Sequence, residues 1–443
     1  MALSNSLYSG LSGLSAMSRS IAVTSDNIAN VNTVGHRGSR SQFEDLLAQN
    51  LPGVGDLGSG VQLSRIEKIF RQGAVIGSAR STDLAIQGRG MFVLNGSFNG
   101  VTGNFYTRAG QFATDSEGFL VREGQSGLRL QGYQADANGN IGTVVGDLQA
   151  ATRNISPERT SEVDLFVQLP VNGDDGNILP VTPGGFDITD IEGSTDASTS
   201  LTVFDSLGNA HQVSVFFTKT GTDPVSGENT WAWTATAPGD EVEGGTPGQP
   251  FVFAEGTVSF NSGGELLTET QVSNSIQFAG GAAAQTIDFN FGESLTTDGA
   301  TSASGSTQFA QTFSVNDISQ DGYAPGEFTG FQVDLDGTIR ASYDNNQLLV
   351  IGQVALADFT NQEGLRRNGG TLFSETLESG QPLIGFANSG GRGQILGGAL
   401  EQSNVDLSAQ FVNLINDQRA FQASTRTITT ADELMAETIN IKR

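Results

Sequence analysis

An apolar heptad pattern stands at each end of this 443-residue chain, and the two patterns constrain its fold more than any other feature. Steps of four and three residues near the amino terminus give Leu3, Leu7, Gly10, Leu14, Met17, Ile21, Thr24 and Ile28, six of which are apolar. The same steps toward the carboxyl terminus give Leu407, Phe411, Leu414, Gln418, Phe421, Thr425, Ile428, Asp432, Met435 and Ile439, seven of them apolar. This spacing predicts two amphipathic helices, each with an apolar seam along one face.

Such seams have to be covered, because an isolated helix of this length is at best marginally stable in water. Either the two helices cover each other, or copies from neighbouring subunits cover them, and the second arrangement makes a polymer. We therefore predict that the apolar residues of both seams form an assembly interface. Ser403, followed three residues later by Asp406, predicts a capping box at the start of the second helix.

Between the helices the pattern is that of β-strands. Apolar and polar residues alternate from Val213 to Phe217, and Trp231 and Trp233 are two positions apart, which predicts that both face one side of a strand. Turn residues recur at 205–208, 261–264 and 336–337. The predicted fold class is mainly β with terminal α-helices, in which discontinuous β-domains are nested and the helices pair as a coiled-coil-like inner domain.

Charge divides the chain in a similar way. The segment 151–320 holds 22 acidic and 3 basic residues, a net charge of −19 out of −26 for the whole chain. The predicted domains are a terminal helical domain (1–32 and 398–443), a connecting segment (33–72), a discontinuous β-domain (73–152 and 321–397) and an inserted acidic outer β-domain (153–320).

Composition argues against catalysis. The chain has no cysteine, which excludes disulfides, thiolate metal ligands and a cysteine nucleophile. Its two histidines, His36 and His211, are fewer than most zinc sites use, and we expect both in exposed loops or interfaces. The sequence contains no Gly-x-Ser-x-Gly nucleophile elbow and no Gly-Lys-Ser/Thr phosphate loop. We therefore predict no enzyme and no cofactor.

Acidic clusters are interpreted as turns and solvated loops, and no metal site is predicted. In 334–337 and 136–139 the glycine comes at position 4 of the motif, whereas a calcium-binding EF-hand loop needs it at position 6. Asp174–Asp175 and 240–243 lie in stretches rich in Gly and Pro.

The same numbers limit the partners. A net charge of −26 leaves no basic face for nucleic acid, and no apolar run approaches the 18 residues of a membrane span. The amino terminus has no apolar run of the signal-peptide type, although the acidic, cysteine-free composition suits a protein outside the cell. We therefore expect no nucleic acid, no membrane insertion, and export by a special route without a cleaved signal.

Several longer motifs are more specific than amphipathicity alone: DNIANVNTVG (26–35), GLSGLSAM (10–17), STDLAIQGRGMFVL (81–94), YTRAGQFATDSEGFLV (106–121), IGQVALADFTNQEGL (351–365) and the whole end of the chain (403–443). Together they resemble the flagellar rod and hook proteins, a family of axial proteins. After Gly35 that family usually has an aromatic residue and a lysine, where this chain has His36 and Arg37.

Within this family a central insertion of about 170 residues points to a subunit of the hook. The resemblance implies a homopolymer, a flexible curved tube that transmits torque from rod to filament, with the helical domain as the inner tube. It also implies the type III export apparatus as the route, an extracellular location in the hook, and the rod, the hook cap, the hook-length control protein and the hook–filament junction proteins as partners. A distal rod or other axial subunit stays an alternative, as does a secreted β-rich adhesin or surface-layer protein.

Overall fold

The computed structural model describes residues 2–47, 58–136, 139–150, 154–171, 195–222, 227–299 and 304–441. Over these residues a long helix stands near each end and strands fill the rest, so the predicted fold class is confirmed. The helices are α1 (Ala2–Ala29) and α2 (Leu407–Ile441), and a 3-10 turn spans Gln362–Gly364. In chain order the strands are β1 (Ser39–Leu47), β2 (Gly58–Lys68), β3 (Val75–Gly77), β4 (Leu84–Gln87), β5 (Met91–Phe98), β6 (Val101–Thr107), β7 (Phe112–Thr114), β8 (Leu120–Arg122), β9 (Gln125–Ala135), β10 (Ile141–Asp147), β11 (Glu162–Pro170), β12 (Ala197–Phe204), β13 (Ala210–Thr222), β14 (Asn229–Pro238), β15 (Pro250–Phe260), β16 (Leu266–Ile276), β17 (Gln285–Thr286), β18 (Asp288–Asn290), β19 (Gly292–Glu293), β20 (Ser304–Gly305), β21 (Thr307–Phe309), β22 (Ser314–Gln320), β23 (Phe328–Val333), β24 (Thr338–Tyr343), β25 (Leu348–Asp358), β26 (Arg366–Gly369), β27 (Leu372–Ser374), β28 (Leu383–Phe386), β29 (Gln394–Gly397) and β30 (Ala399–Glu401).

The chain divides into two units, one formed by 1–152 with 328–443 and the other by 153–327. The first unit holds an antiparallel sheet in which β23, β24, β25, β9, β5, β6, β27 and β26 are successive neighbours, while β7, β8, β10 and β28 pair at its sides. Its core is aromatic: Phe92 and Phe112 meet edge to face at 5.3 Å, and Tyr106 and Phe359 meet in the same way at 4.7 Å. Such geometry is the one that aromatic quadrupoles favour.

The segment predicted as a connector, 33–72, contains an antiparallel ribbon. Strands β1 and β2 pair from Ser39↔Lys68 outward, and the ribbon lies along α1, where the Ser12 hydroxyl accepts a hydrogen bond from the backbone of Val61 at 3.2 Å. At Gly60 a Cβ would lie 2.0 Å from that hydroxyl oxygen, so only glycine allows this approach. The ribbon is therefore part of the support of α1.

The second unit packs two sheets face to face. One has the order β12-β13-β14-β15-β16-β17, and in the other β11 pairs with β18 and β21 in parallel and with β22 antiparallel. Side chains alternate along β13, and Trp231 and Trp233 are both buried on the inner face of β14, as the sequence predicts. The indole of Trp233 lies 5.2 Å from the ring of Phe291, between ring centroids. These rings belong to a large cluster of buried apolar side chains from both sheets, which forms the core of the unit.

The predicted turns are confirmed, but the predicted helix cap is wrong. Gly208, Gly264 and Gly337 each donate a backbone hydrogen bond to the carbonyl three residues earlier, as tight turns require. At the start of α2 the Asp406 carboxylate accepts hydrogen bonds from the backbone of residues 408 and 409 at 2.9 and 3.1 Å. Asp406 is thus the N-cap, because the helix begins one residue after it rather than after Ser403.

Candidate assembly interface

Helices α1 and α2 pack against each other in antiparallel fashion through small residues. A Cβ on Gly10 would lie 2.8 Å from Cγ1 of Ile428, and one on Gly13 would lie 3.0 Å from the hydroxyl of Ser424. Ala16, further along the same side of α1, is 3 % exposed. The two backbones can therefore approach closely only because α1 carries small residues on this face.

Toward the β sheet of the first unit the helix contact becomes polar. The hydroxyls of Ser20 and Thr24 donate to the carboxylate of Asp417 at 2.7 and 3.4 Å. The Asn27 amide donates to the side-chain oxygen of Gln410 at 3.0 Å. These directional contacts fix the register of the two helices, whereas apolar packing alone would tolerate sliding.

The predicted seam residues of α2 differ in how far they are covered. Those that share a face with Asp417 and Ser424, at spacings of three and four, are half-buried toward α1: Leu414, Phe421, Ile428 and Met435. Leu407 and Phe411, in the first turns of the helix, are 40 % and 48 % exposed. On α1 the predicted residues are half-buried: Leu7, Leu14, Met17, Ile21 and Ile28. The side chains of Leu3 and Ile439 lie outside the described residues.

A second apolar stripe on α2, which we call the exposed stripe, consists of Leu407, Phe411, Val412 and Ile415. The last two are 57 % and 49 % exposed, and the heptad analysis missed them because it followed a single seam. Leu407, Phe411 and Ile415 are spaced at i, i+4 and i+8, a pattern that could have revealed this face. On α1, Tyr8 (67 %) and Leu11 (56 %) are similarly exposed. Contiguous exposed apolar residues of this kind are typical of interaction surfaces.

Where the helices join the sheet, the buried side chains of Arg37, Arg108 and Glu401 and the half-buried side chain of Asn404 form a cluster that we call the collar. The Glu401 carboxylate is fully buried and accepts hydrogen bonds from Arg37 at 2.7 Å and Arg108 at 3.1 Å. Burial lowers the pKa of Arg108 to about 10, against the opposing effect of Glu401. In the sequence Arg37 stands out only as a departure from the family pattern, and its contact with Glu401 leaves no local signal because the two residues are 364 positions apart.

His36, beside the collar, is buried, so of the two predicted settings the exposed loop is wrong. It is 3 % exposed, because backbone hydrogen bonds join Gly35 to Glu401 and His36 to Asn404, in the segment that leads to α2. Burial, together with the nearby Arg367, lowers its pKa below the ordinary value. An uncharged imidazole is therefore the favoured form at this position.

His211 is also buried, in β13 of the second unit, which corrects its predicted exposure. Its Nδ1 lies 2.7 Å from Glu241 and its Nε2 lies 3.3 Å from Asp205, while its ring stacks on Phe278 at 3.8 Å. Burial opposes ionisation of Asp205, yet hydrogen bonds from Asn209 and His211 hold its pKa below the usual value. Because the carboxylates face opposite ring nitrogens, the three side chains cannot hold a single metal ion. Glu241 is thus a structural partner and only partly a solvated loop residue.

The acidic motifs at 334–337 and 136–139 have carboxylates that bond to neighbouring residues of their own turns. Asp334 accepts a hydrogen bond from Arg340 at 2.7 Å, and Asp136 accepts one from the backbone of Asn140 at 2.9 Å. Asp174–Asp175 lies outside the described residues. Within the described ranges no group of three or more His, Asp or Glu side chains is placed to hold a metal ion, and neither helix is long and apolar enough to cross a membrane.

Family models match most of the chain. Residues 171–323 match the flagellar basal body protein FlaE D2 domain, and 85–164 match the flagellar hook protein FlgE/F/G D1 domain. The ends match two further models, the flagella basal body rod protein at 7–37 and the flagellar basal body rod FlgEFG protein C-terminal region at 396–441. The terminal helices and both β units thus each have a counterpart in this family.

Whole proteins are also similar to this chain. The flagellar hook protein FlgE of Rhizobium meliloti is 32 % identical over 100 % of both chains, and that of Escherichia coli is 34 % identical over 98 % of both. The crystal structure of Helicobacter pylori flagellar hook protein FlgE2 covers 72 % of this chain and 98 % of its own, with a TM-score of 0.49 and 17 % identity. Since relatives above 30 % identity match it from end to end, this chain belongs to the flagellar hook protein FlgE family.

Proposed function

We propose that this protein is the structural subunit of the bacterial flagellar hook and that it assembles into a flexible curved tube. The observation that carries the proposal is the exposed stripe on α2, which leaves large apolar side chains uncovered after the two helices have paired. A second copy is the natural cover, because a hook is built from many copies of one chain. Alternatives such as an adhesin or a surface-layer protein would not need such terminal helices.

In this proposal the helical pairs of many subunits form the inner tube, and the predicted seam residues together with the exposed stripe form the contacts between them. The acidic unit, 153–327, lies outermost. Neighbouring acidic units repel each other, so they touch through small polar contacts that can slide as the tube bends. This arrangement would let the tube transmit torque from rod to filament while it changes curvature.

The family also indicates where the protein acts and with what. We propose that it is exported by the flagellar type III apparatus, functions in the hook outside the cell, and contacts the rod, the hook cap, the hook-length control protein and the hook–filament junction proteins. We propose no catalytic role and no cofactor, since the family is a structural one.

Electron microscopy of the purified protein after salting-out tests the proposal. Curved tubes built from this chain alone are the expected result. Straight tubes only would favour the distal rod alternative, and a protein that stays monomeric at every salt and protein concentration would contradict self-assembly altogether. A subunit with Phe411→Asp serves as the matched control, because it places a charge on the exposed stripe and should stay monomeric.

A further inference from the structure

We infer that the collar fixes the direction in which the helical pair leaves the β sheet of the first unit, and that it is the element through which force passes between them. The inference rests on the proposed function, since it names the residues that would carry torque within each subunit. The collar is a positioning element, and its contacts come from four separate parts of the chain.

Glu401 is the centre of this convergence. Its carboxylate accepts three hydrogen bonds. The donors are the Arg37 side chain, shortly after α1, the Arg108 side chain, directly after β6, and the backbone N–H of Gly73, shortly after the ribbon, at 2.8 Å. Its own backbone carbonyl accepts the N–H of Gly35 at 2.8 Å. Glu401 is the last residue of β30 and stands six residues before α2 begins. It therefore contacts the segment after α1, the ribbon and the sheet from a position just before α2.

Asn404 repeats this pattern three residues later. Its side-chain oxygen accepts the N–H of Gly38 at 2.8 Å, and its side-chain nitrogen donates to the carbonyls of Ile69 and Arg71 at 2.6 and 2.8 Å. On α1 itself, Asn27 both donates to and accepts from the backbone of Ser39, at 2.7 and 2.8 Å. Within a few residues of its end, each helix is therefore tied by directional bonds to the ribbon and to the residues that flank it.

The chemistry of the collar fits positioning better than stabilisation. Two guanidinium groups and one carboxylate leave a net buried charge of +1, and desolvating such groups usually cancels what their attraction gains. Replacing a buried ion cluster by apolar residues of similar volume is often neutral for stability. What ion pairs add is geometry, because Arg108 also donates to the carbonyls of Ile86 and Gly88, at 3.3 and 2.6 Å, and so has a fixed orientation.

The first test measures the helix direction in the soluble subunit. Since the chain has no cysteine, Thr102→Cys on β6 and Gln422→Cys on α2 would carry spin labels at those two exposed positions alone. We expect one narrow distance distribution for the otherwise unchanged subunit. The distribution should be at least twofold broader when the ion cluster is replaced by Arg37→Met, Arg108→Met and Glu401→Leu. A broad distribution in the unchanged subunit, or equal widths in both, would overturn the inference.

A stability measurement separates positioning from folding. The triple apolar variant should melt within a few degrees of the unchanged protein, whereas Glu401→Gln should lower the melting temperature by about 10 °C because it leaves two guanidiniums without a counter-charge. If the triple variant does not fold, Glu401→Asp decides: it keeps every charge but withdraws the carboxylate, and it should broaden the same distance distribution. An unchanged width in that variant would refute the inference.

Electron microscopy of the polymer completes the test. Collar variants that fold should give no tubes, or tubes with an altered helical lattice, while the exposed pair Arg80→Met with Glu123→Leu is the control and should give the normal lattice. Normal tubes from the triple variant would refute the inference and leave the proposed function intact. If the unchanged protein itself formed no tubes, the proposed function would fail, and the distance measurement would still judge the collar.

Discussion

Truncating the exposed stripe on α2 should weaken assembly by an amount that the structure allows us to estimate. Phe411 and Ile415 are 48 % and 49 % exposed. Full burial of such a side chain contributes about 1.5–3 kcal/mol, so covering the exposed half in a polymer contributes about 0.8–1.5 kcal/mol for each. Since 1.4 kcal/mol is a factor of about ten in an equilibrium constant, Phe411→Ala or Ile415→Ala should raise the critical concentration roughly four- to twelvefold.

The assay is sedimentation of polymer over a series of total protein concentrations, with the soluble fraction read at the plateau. Asn413→Ala is the matched control, because it truncates an exposed polar residue of the same helix and should leave the critical concentration unchanged. The thermal transition of the β units should stay within about 1 °C in all three variants, since no buried contact is lost. Critical concentrations within twofold of the original for both apolar variants would refute the reasoning.

Four further predictions follow from other parts of the chain. Gly10→Val should separate the helices, because its Cβ would meet Ile428 at 2.8 Å, and protease should then remove α2 faster than in Gly77→Ala, where nothing lies within 4 Å. Because the pKa of His36 is lowered in the folded state, the unfolded chain takes up its proton first as pH falls below about 6.5; His36→Phe should therefore reduce the loss of melting temperature between pH 7 and pH 5, and an unchanged loss would contradict this. Deleting 153–327 should leave a subunit that still forms tubes, since a backbone hydrogen bond of 3.0 Å between residues 155 and 326 brings the ends of this unit together; a monomer under all conditions would count against it. Critical concentration should fall as sodium chloride rises, because salt screens the charge of the acidic unit and the helix contacts are apolar, and calcium at fixed ionic strength should make no difference.

Local patterns made the fold class and the elements predictable. The heptads predict both helices, alternation predicts β13 and β14, and the turn residues predict hairpins, because each of these signals depends on a few neighbouring residues. Asp406 was assigned to the third position of a capping box although it is the cap itself, an error of three residues at a helix end. Boundaries of this kind depend on hydrogen-bond geometry that composition does not record.

Long-range contacts were not predictable in the same way. Both histidines were expected near the surface because each stands in a polar stretch, yet His211 packs on Phe278, 67 positions away, and His36 is buried where the two ends of the chain meet. The collar was the least predictable of these contacts, because no residue near Arg37 in the sequence indicates that its partner is Glu401. Buried polar groups need partners, but only the fold determines which ones they meet.

The helix pair also shows why one heptad pattern cannot be assigned to a single contact. Within the subunit α1 meets α2 through Gly, Ala, Ser and Thr, through hydrogen bonds to Asp417 that set the register, and through large apolar side chains that stay only half-buried. The large side chains Phe411 and Ile415 take no part in that pairing and stay available on another face. Because burial of large apolar groups contributes more free energy than small polar contacts, covering the exposed stripe and the exposed halves of the seam residues should supply much of the free energy of assembly. A subunit built in this way would hold its own helices in register and still gain further apolar burial on entering the tube.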